Sequence, residues 1–298
     1  MKRKALWTAL AFLLLAALAA QAQEQYLDVY TAQVKPDKRA EFDTLSKKMG
    51  MANRQNQGDT WLAMETVYGP GDRVTFISTR QGYADVEKAT GAFYGAIQKA
   101  FGKAGTDKLF QDFNQCLVNS RSELRIRRWD LSSNPPADRA AMTRLLGDSR
   151  WLRTTVVHVR PGQVAAFESL LKEIKTAREK ASPPQTVLVS QAVAGQEGTV
   201  FYVTALQSSL AGFDALPSLQ QTLGEEGYAR FLKTSAELVA NTETVISRFL
   251  PELSNAPEEV AAIAPDYWRP KAVVAKTGTE KGVVNAAATS KMDDKTKK

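Results

Sequence analysis

The chain has 298 residues, with 39 Lys and Arg against 32 Asp and Glu, a formal charge of +7, one His and one Cys. A lone cysteine excludes an intramolecular disulfide, and one His with one Cys excludes ordinary zinc sites. Three positive charges are Lys2-Arg3-Lys4, and residues 255–298 hold eight basic against six acidic residues. The remainder is close to neutral and lacks the basic footprint of a nucleic-acid binder.

The N-terminus has the form of a secretory signal. Lys2-Arg3-Lys4 precedes an apolar run from Ala5 to Ala20, and Ala20-Gln21-Ala22 supplies a small-x-small cleavage site. The run is about 16 residues, below the roughly 20 that a spanning helix needs. Cleavage after Ala22 is therefore expected, giving a periplasmic or secreted bacterial protein with no integral membrane segment.

The mature part reads twice. Tyr26 to Val34 predicts a strand, stopped by Pro36, and Phe42, Leu45 and Met49 mark an amphipathic helix. Trp61–Tyr68 and Val74–Thr79 flank the turn Gly69-Pro70-Gly71-Asp72 and predict a hairpin. Helical sequence follows over Ala84–Phe101 and Asp107–Val118, and Ser122–Trp129 predicts a closing strand. After a linker at 132–150, in which Ala140–Leu146 looks helical, the series recurs. It comprises a strand at Arg153–Val159, a helix with Phe167, Leu170, Leu171 and Ile174, strands at Thr186–Val193 and Thr199–Leu206, helical segments at Leu210–Leu216 and Tyr228–Val239, and a strand at Thr242–Phe249. Val34-Lys35-Pro36 with Phe42 matches Val159-Arg160-Pro161 with Phe167 at an offset of 125 residues, and Glu123 with Ile126 matches Glu243 with Ile246 at 120. A period this long indicates a duplicated domain, since solenoid repeats run roughly 20–50 residues.

The predicted class is α+β: two tandem ferredoxin-like β-α-β-β-α-β units. The expected divisions are a signal at 1–22, repeats at 23–131 and 151–254 around the linker, and a disordered tail at 255–298. Within the tail, Tyr267 and Trp268 are aromatics suited to docking back onto the fold. Each unit leaves one sheet face uncovered, and packing the two sheets together buries both.

On the Val-Lys-Pro-Asp and Val-Arg-Pro-Gly strand ends, each with a Phe six residues after the Pro, the chain resembles the dimeric α/β-barrel superfamily, in particular antibiotic-biosynthesis-monooxygenase-like domains. The resemblance covers residues 26–131 and 151–253. It implies a barrel with a central cavity, here built as an intrachain pseudo-dimer that requires no homo-oligomer. Members include cofactor-independent monooxygenases, haem-degrading enzymes and isomerases. The haem-degrading members use a helix-borne histidine, whereas the single histidine here is on a strand.

Strand alternation sorts the candidate site residues. Tyr30, Ala32 and Val34, like Thr155, Val157 and Val159, should face the helices. Thr31 and Gln33, with Thr154, Val156 and His158, should face the lumen. His158 is the natural candidate acid/base, with Glu65 as a tentative second catalytic group. Gln33, Thr31, Thr154, Val156 and Gln191 are the candidate ligand-binding residues. Glu65 and Gln191 match at an offset of 126 and are placed either on the lumen side or at a strand end. No metal and no cofactor are expected. The sequence supports a barrel that binds a small apolar or aromatic molecule in its lumen. The alternatives are a cofactor-independent monooxygenase or isomerase using His158, and a structural or partner-binding module.

Overall fold

The computed structural model describes residues 26–270; the signal expected at 1–22 and the tail beyond Pro270 lie outside them. Eight strands close into an antiparallel barrel in the order β1-β3-β2-β8-β5-β7-β6-β4. They are β1 (Tyr26–Val34), β2 (Leu62–Tyr68), β3 (Arg73–Arg80), β4 (Leu117–Arg127), β5 (Trp151–Val159), β6 (Leu188–Ala194), β7 (Thr199–Gln207) and β8 (Val239–Phe249). Helices α1 (Arg39–Gln55), α2 (Tyr83–Gln115), α4 (Val164–Lys180) and α5 (Leu219–Leu238) accompany them. Three further helices, α3 (Arg139–Asp148), α6 (Glu258–Ile263) and α7 (Pro265–Trp268), lie outside the two β-α-β-β-α-β series.

The alternation of each strand builds the layers. Ala32 and Val34 of β1 pack with Phe42, Leu45 and Met49 of α1 and with Phe113 of α2. Val157 and Val159 of β5 pack with Phe167, Leu170 and Ile174 of α4. The other face of the same strands turns inward, because closure of the sheet leaves it only the lumen. A third cluster closes one end. Leu62, Met64, Leu152, Leu188, Leu206 and Phe249 meet Met142 of α3, Val260 of α6 and Trp268 of α7.

The ends of the elements differ from the sequence reading in three places. β4 and β8 begin at Leu117 and Val239, several residues before Ser122 and Thr242. Their first residues are mostly exposed and give no apolar alternation, and pairing along the whole of β1 and β5 draws them into the sheet. The helical segments at Ala84–Phe101 and Asp107–Val118 are one element broken at Gly102 (φ 66°), and α5 has a similar break at Gly224 (φ 69°). Finally, residues 255–270 are ordered rather than a disordered tail. Trp268 is 1% exposed and its indole N–H donates to the carbonyl of Gly147 at 2.9 Å.

Strand register also corrects the 120-residue offset. Val34 lies opposite Leu117 and Val159 opposite Val239, and in both strands the register shifts just before that position. Leu117 and Val239 are 122 residues apart, and at that spacing Glu123 falls level with Val245 and Glu243 with Arg121. The Glu and Ile matches at 120 are a two-residue slip, which preserves the strand face but not the position.

Candidate functional site: a cavity in the barrel lumen

A cavity of about 140 Å³ occupies one half of the lumen. All eight strands contribute inward-facing residues to it, including Leu27, Met64, Ile77, Arg125, Leu152, Ser190, Leu206 and Phe249. Threonines 75, 79, 154 and 204 add hydroxyls to a wall that is otherwise largely aliphatic. Met142 and Leu146 of α3 and Val260 of α6 form the floor. Arg139 and Glu259, paired at 2.7 Å with side chains 63% and 44% exposed, also line the cavity and mark where it reaches the surface.

The strongest polar feature is on β4. Arg125 and Arg127 are two residues apart on the inward face, and both line the cavity with Trp129 just beyond the strand. The Arg127 guanidinium is 5.4 Å from the Trp129 ring centroid. The indole Nε1–H of Trp129 is buried and has no acceptor among the described residues.

Arg125 also belongs to the layer that fills the lumen behind the cavity. It pairs with Glu123 at 2.8 Å and lies 3.5 Å from the centroid of the Tyr202 ring. The Tyr202 hydroxyl donates to Glu123 at 2.7 Å, and Gln196 donates to the other carboxylate oxygen at 2.6 Å. Burial, with the Glu123 carboxylate as acceptor, pushes the Tyr202 phenol well above its ordinary value, so it stays a donor. Gly195 allows this arrangement. Its φ is +84°, and a Cβ there would stand 2.1 Å from the Ser122 carbonyl oxygen, so only glycine lets the β6–β7 turn lie against β4 and deliver Gln196.

The sequence-predicted residues divide sharply. Thr154 lines the cavity and shares a 3.0 Å hydroxyl contact with Thr204. Thr31, Gln33, Val156 and His158 are on the inward face but belong to the other half of the lumen and do not line the cavity. Gln33 is held by the Gly71 carbonyl at 2.7 Å. Glu65 and Gln191 are on the opposite face of the wall, among the helices. Glu65 lies across from Val74, and Arg39 and Arg248 hold it at 2.9 and 2.6 Å. Gln191 accepts from Arg128, which also pairs with Glu168 of α4. The pairing of His158 with Glu65 is therefore corrected: the barrel wall stands between them. The helix-facing alternation of β2 and β6 placed both carboxamide and carboxylate where arginines could reach them.

Arg125, Arg127 and Trp129 were missed by sequence reasoning. The signal was available, because the face-sorting used on β1 and β5, applied to β4, puts Arg121, Glu123, Arg125 and Arg127 on one side. Charged residues on a face that must close upon itself need partners there, as Arg125 has in Glu123. Among the described residues there is no His, Cys, Asp or Glu group able to hold a metal, and no helix is long and apolar enough to cross a membrane.

The described fold is an eight-stranded antiparallel barrel with helices on its outer face, closed within one chain. Among solved structures, the chain is similar to an anthrone oxidase-like protein, at 12% identity and a TM-score of 0.49, covering 77% of this chain and 93% of that one. It is also similar to a heme-binding protein from Thermus thermophilus (12%, 0.45, 78% and 94%) and to a chlorite dismutase from Candidatus Nitrospira defluvii (10%, 0.43, 82% and 97%). At these scores the likeness is one of general architecture. No family model and no curated protein matches the chain. The cavity does not fit a haem. It is far smaller than a tetrapyrrole, and no histidine or cysteine lines it.

Proposed function

We propose that this is an exported single-chain barrel that binds a small, largely apolar molecule about the size of one aromatic ring. The observation that carries the reading is the lumen cavity. Its volume is close to that of the roughly 150 Å³ apolar cavity known to accept benzene. Aliphatic walls with a few placed polar groups are the usual makeup of a small-molecule site. Export rests on the signal-like N-terminus and is tested by cell fractionation with detection of the mature N-terminus.

The barrel is also proposed to derive from tandem ferredoxin-like repeats. Each half of the strand order, β4-β1-β3-β2 and β8-β5-β7-β6, has the same internal arrangement. The breaks at Gly102 and Gly224 are 122 residues apart, the same spacing as the β4 and β8 registers, which supports that origin.

Calorimetric titration of the purified protein with benzyl alcohol tests the binding reading. Saturable binding is expected, and it should be abolished in Met142→Trp, which fills the floor of the cavity. Failure to bind this and other single-ring compounds would remove the proposal.

A further inference from the structure

The wall of the same cavity selects among ring-sized molecules, an inference that rests on the binding reading above. We propose that the ligand is a neutral hydroxyl compound: one apolar body with a single alcohol or phenol group, seated against Ser190, Thr204 and Thr154 at the inner end of the cavity. Ser190 is the decisive member. It is 5% exposed, it lines the cavity, and its hydroxyl makes no hydrogen bond within the described residues. That oxygen is not sealed inside the wall, so a molecule in the cavity reaches it. A hydroxyl left unmatched in a buried site carries its desolvation cost, and a ligand group at hydrogen-bonding distance removes it.

Register places the three hydroxyls on adjoining strands. Thr154 of β5 lies opposite Thr204 of β7, and their oxygens are 3.0 Å apart. Ser190 of β6 lies opposite Tyr202, which makes it the diagonal neighbour of Thr204 on the lumen face. One threonine donates to the other, and the acceptor keeps its own O–H for a third group. The row therefore offers donors and acceptors together, and a ligand hydroxyl matches it because it too does both. Charge is already spent inside the protein. Arg125 is paired with Glu123 at 2.8 Å and Arg139 with Glu259 at 2.7 Å, and Asp138 accepts from the backbone N–H of Ala141. Arg127 lies over the Trp129 ring and is likewise engaged. An ion entering the cavity would shed its water without gaining a free counter-charge, whereas a neutral hydroxyl needs only a partner hydroxyl. The apolar body then points to Met142, Leu146 and Val260 at the floor.

Benzyl alcohol and ethylbenzene separate the two claims, since they share one shape and differ by the hydroxyl. Both are titrated into the full protein at neutral pH, as wild type and as Ser190→Ala. The substitution is expected to weaken benzyl alcohol about three- to tenfold, the scale of one neutral hydrogen bond, and to leave ethylbenzene unchanged. Thr154→Val, of matching shape, should act in the same direction and serves if Ser190→Ala does not fold. Benzoate should bind the wild type at least about tenfold more weakly than benzyl alcohol. Equal loss for both neutral compounds, or loss for neither, overturns the hydroxyl inference and leaves the cavity reading intact. Binding of ethylbenzene alone, or benzoate binding as tightly as benzyl alcohol, overturns the hydroxyl inference in the same way. Binding of neither neutral compound overturns the cavity reading as well.

Discussion

Gly147 sits inside α3, where replacing glycine by alanine ordinarily stabilises a helix by about 1 kcal/mol. At this position the sign should invert. A Cβ on Gly147 would stand 2.5 Å from Ile263 Cβ and 2.8 Å from both of its γ-carbons. Ordinary contacts begin near 3.4 Å, so the two helices must separate by roughly an ångström. Ile263 cannot rotate away, because the nearest atom is its own Cβ, fixed to the α6 backbone. Overpacking of this kind costs about 1–3 kcal/mol. The Gly147 carbonyl also receives the Trp268 indole and an Arg150 guanidinium N–H at 2.8 Å, so movement of α3 strains those bonds as well. After the propensity gain, the expected net loss is up to about 2 kcal/mol, or a fall in Tm of up to roughly 8 °C for a domain of this size. Thermal unfolding followed by circular dichroism reads this directly. Gly91→Ala in α2 is the control, since a Cβ there meets nothing within 4 Å, and it should raise stability by about 0.5–1 kcal/mol. If Gly147→Ala also raises Tm, the close seating of α6 on α3 is wrong.

Three further outcomes follow from the packing and charges. Trp268→Ala should cost about 3–5 kcal/mol, seen as a lower urea midpoint; an unchanged midpoint would mean that α7 does not plug the barrel end. Burial alone would raise the Glu65 carboxyl, but hydrogen bonds from Arg39 and Arg248 outweigh it and hold the group below its ordinary 4.5. Its stabilisation is then fully present above that pH and lost as pH falls below it, so the gap between wild type and Glu65→Gln should narrow on acidification; a gap that widens would contradict the assignment. Tyr202→Phe removes one of the hydrogen bonds to Glu123 and should destabilise by about 1 kcal/mol, measured by chemical denaturation, with no effect expected if the phenol were not engaged.

The barrel was readable from the sequence because its cause is local and repeated. Val34-Lys35-Pro36 and Val159-Arg160-Pro161 end equivalent strands, and Phe42 and Phe167 drive equivalent helices onto them. Face assignments on β1 and β5 followed from period-two alternation alone. The site was less legible, for two physical reasons. Which half of the lumen stays empty depends on the bulk of Tyr202 and on the Glu123 network from β4, β7 and the β6–β7 turn, a long-range packing outcome. The floor comes from α3 and residues 255–270, segments that read as linker and tail because short helices with few apolar residues show little periodicity until they find a partner. His158 drew notice through rarity rather than position, whereas arginines, being common, concealed the polar corner at Arg125 and Arg127.

The layer of Glu123, Tyr202, Gln196 and Arg125 makes the barrel a cup rather than a pipe. On the binding reading, a molecule entering past Arg139 and Glu259 would meet this hydrogen-bonded layer at the back of the cavity. The exposed Arg139–Glu259 ion pair at the rim is itself worth at most about 1 kcal/mol. On the same reading, a cavity of about 140 Å³ has room for one ring-sized molecule at a time. Any molecule held or altered inside has to vacate before its successor arrives, and whatever resembles the departing species competes for the same threshold.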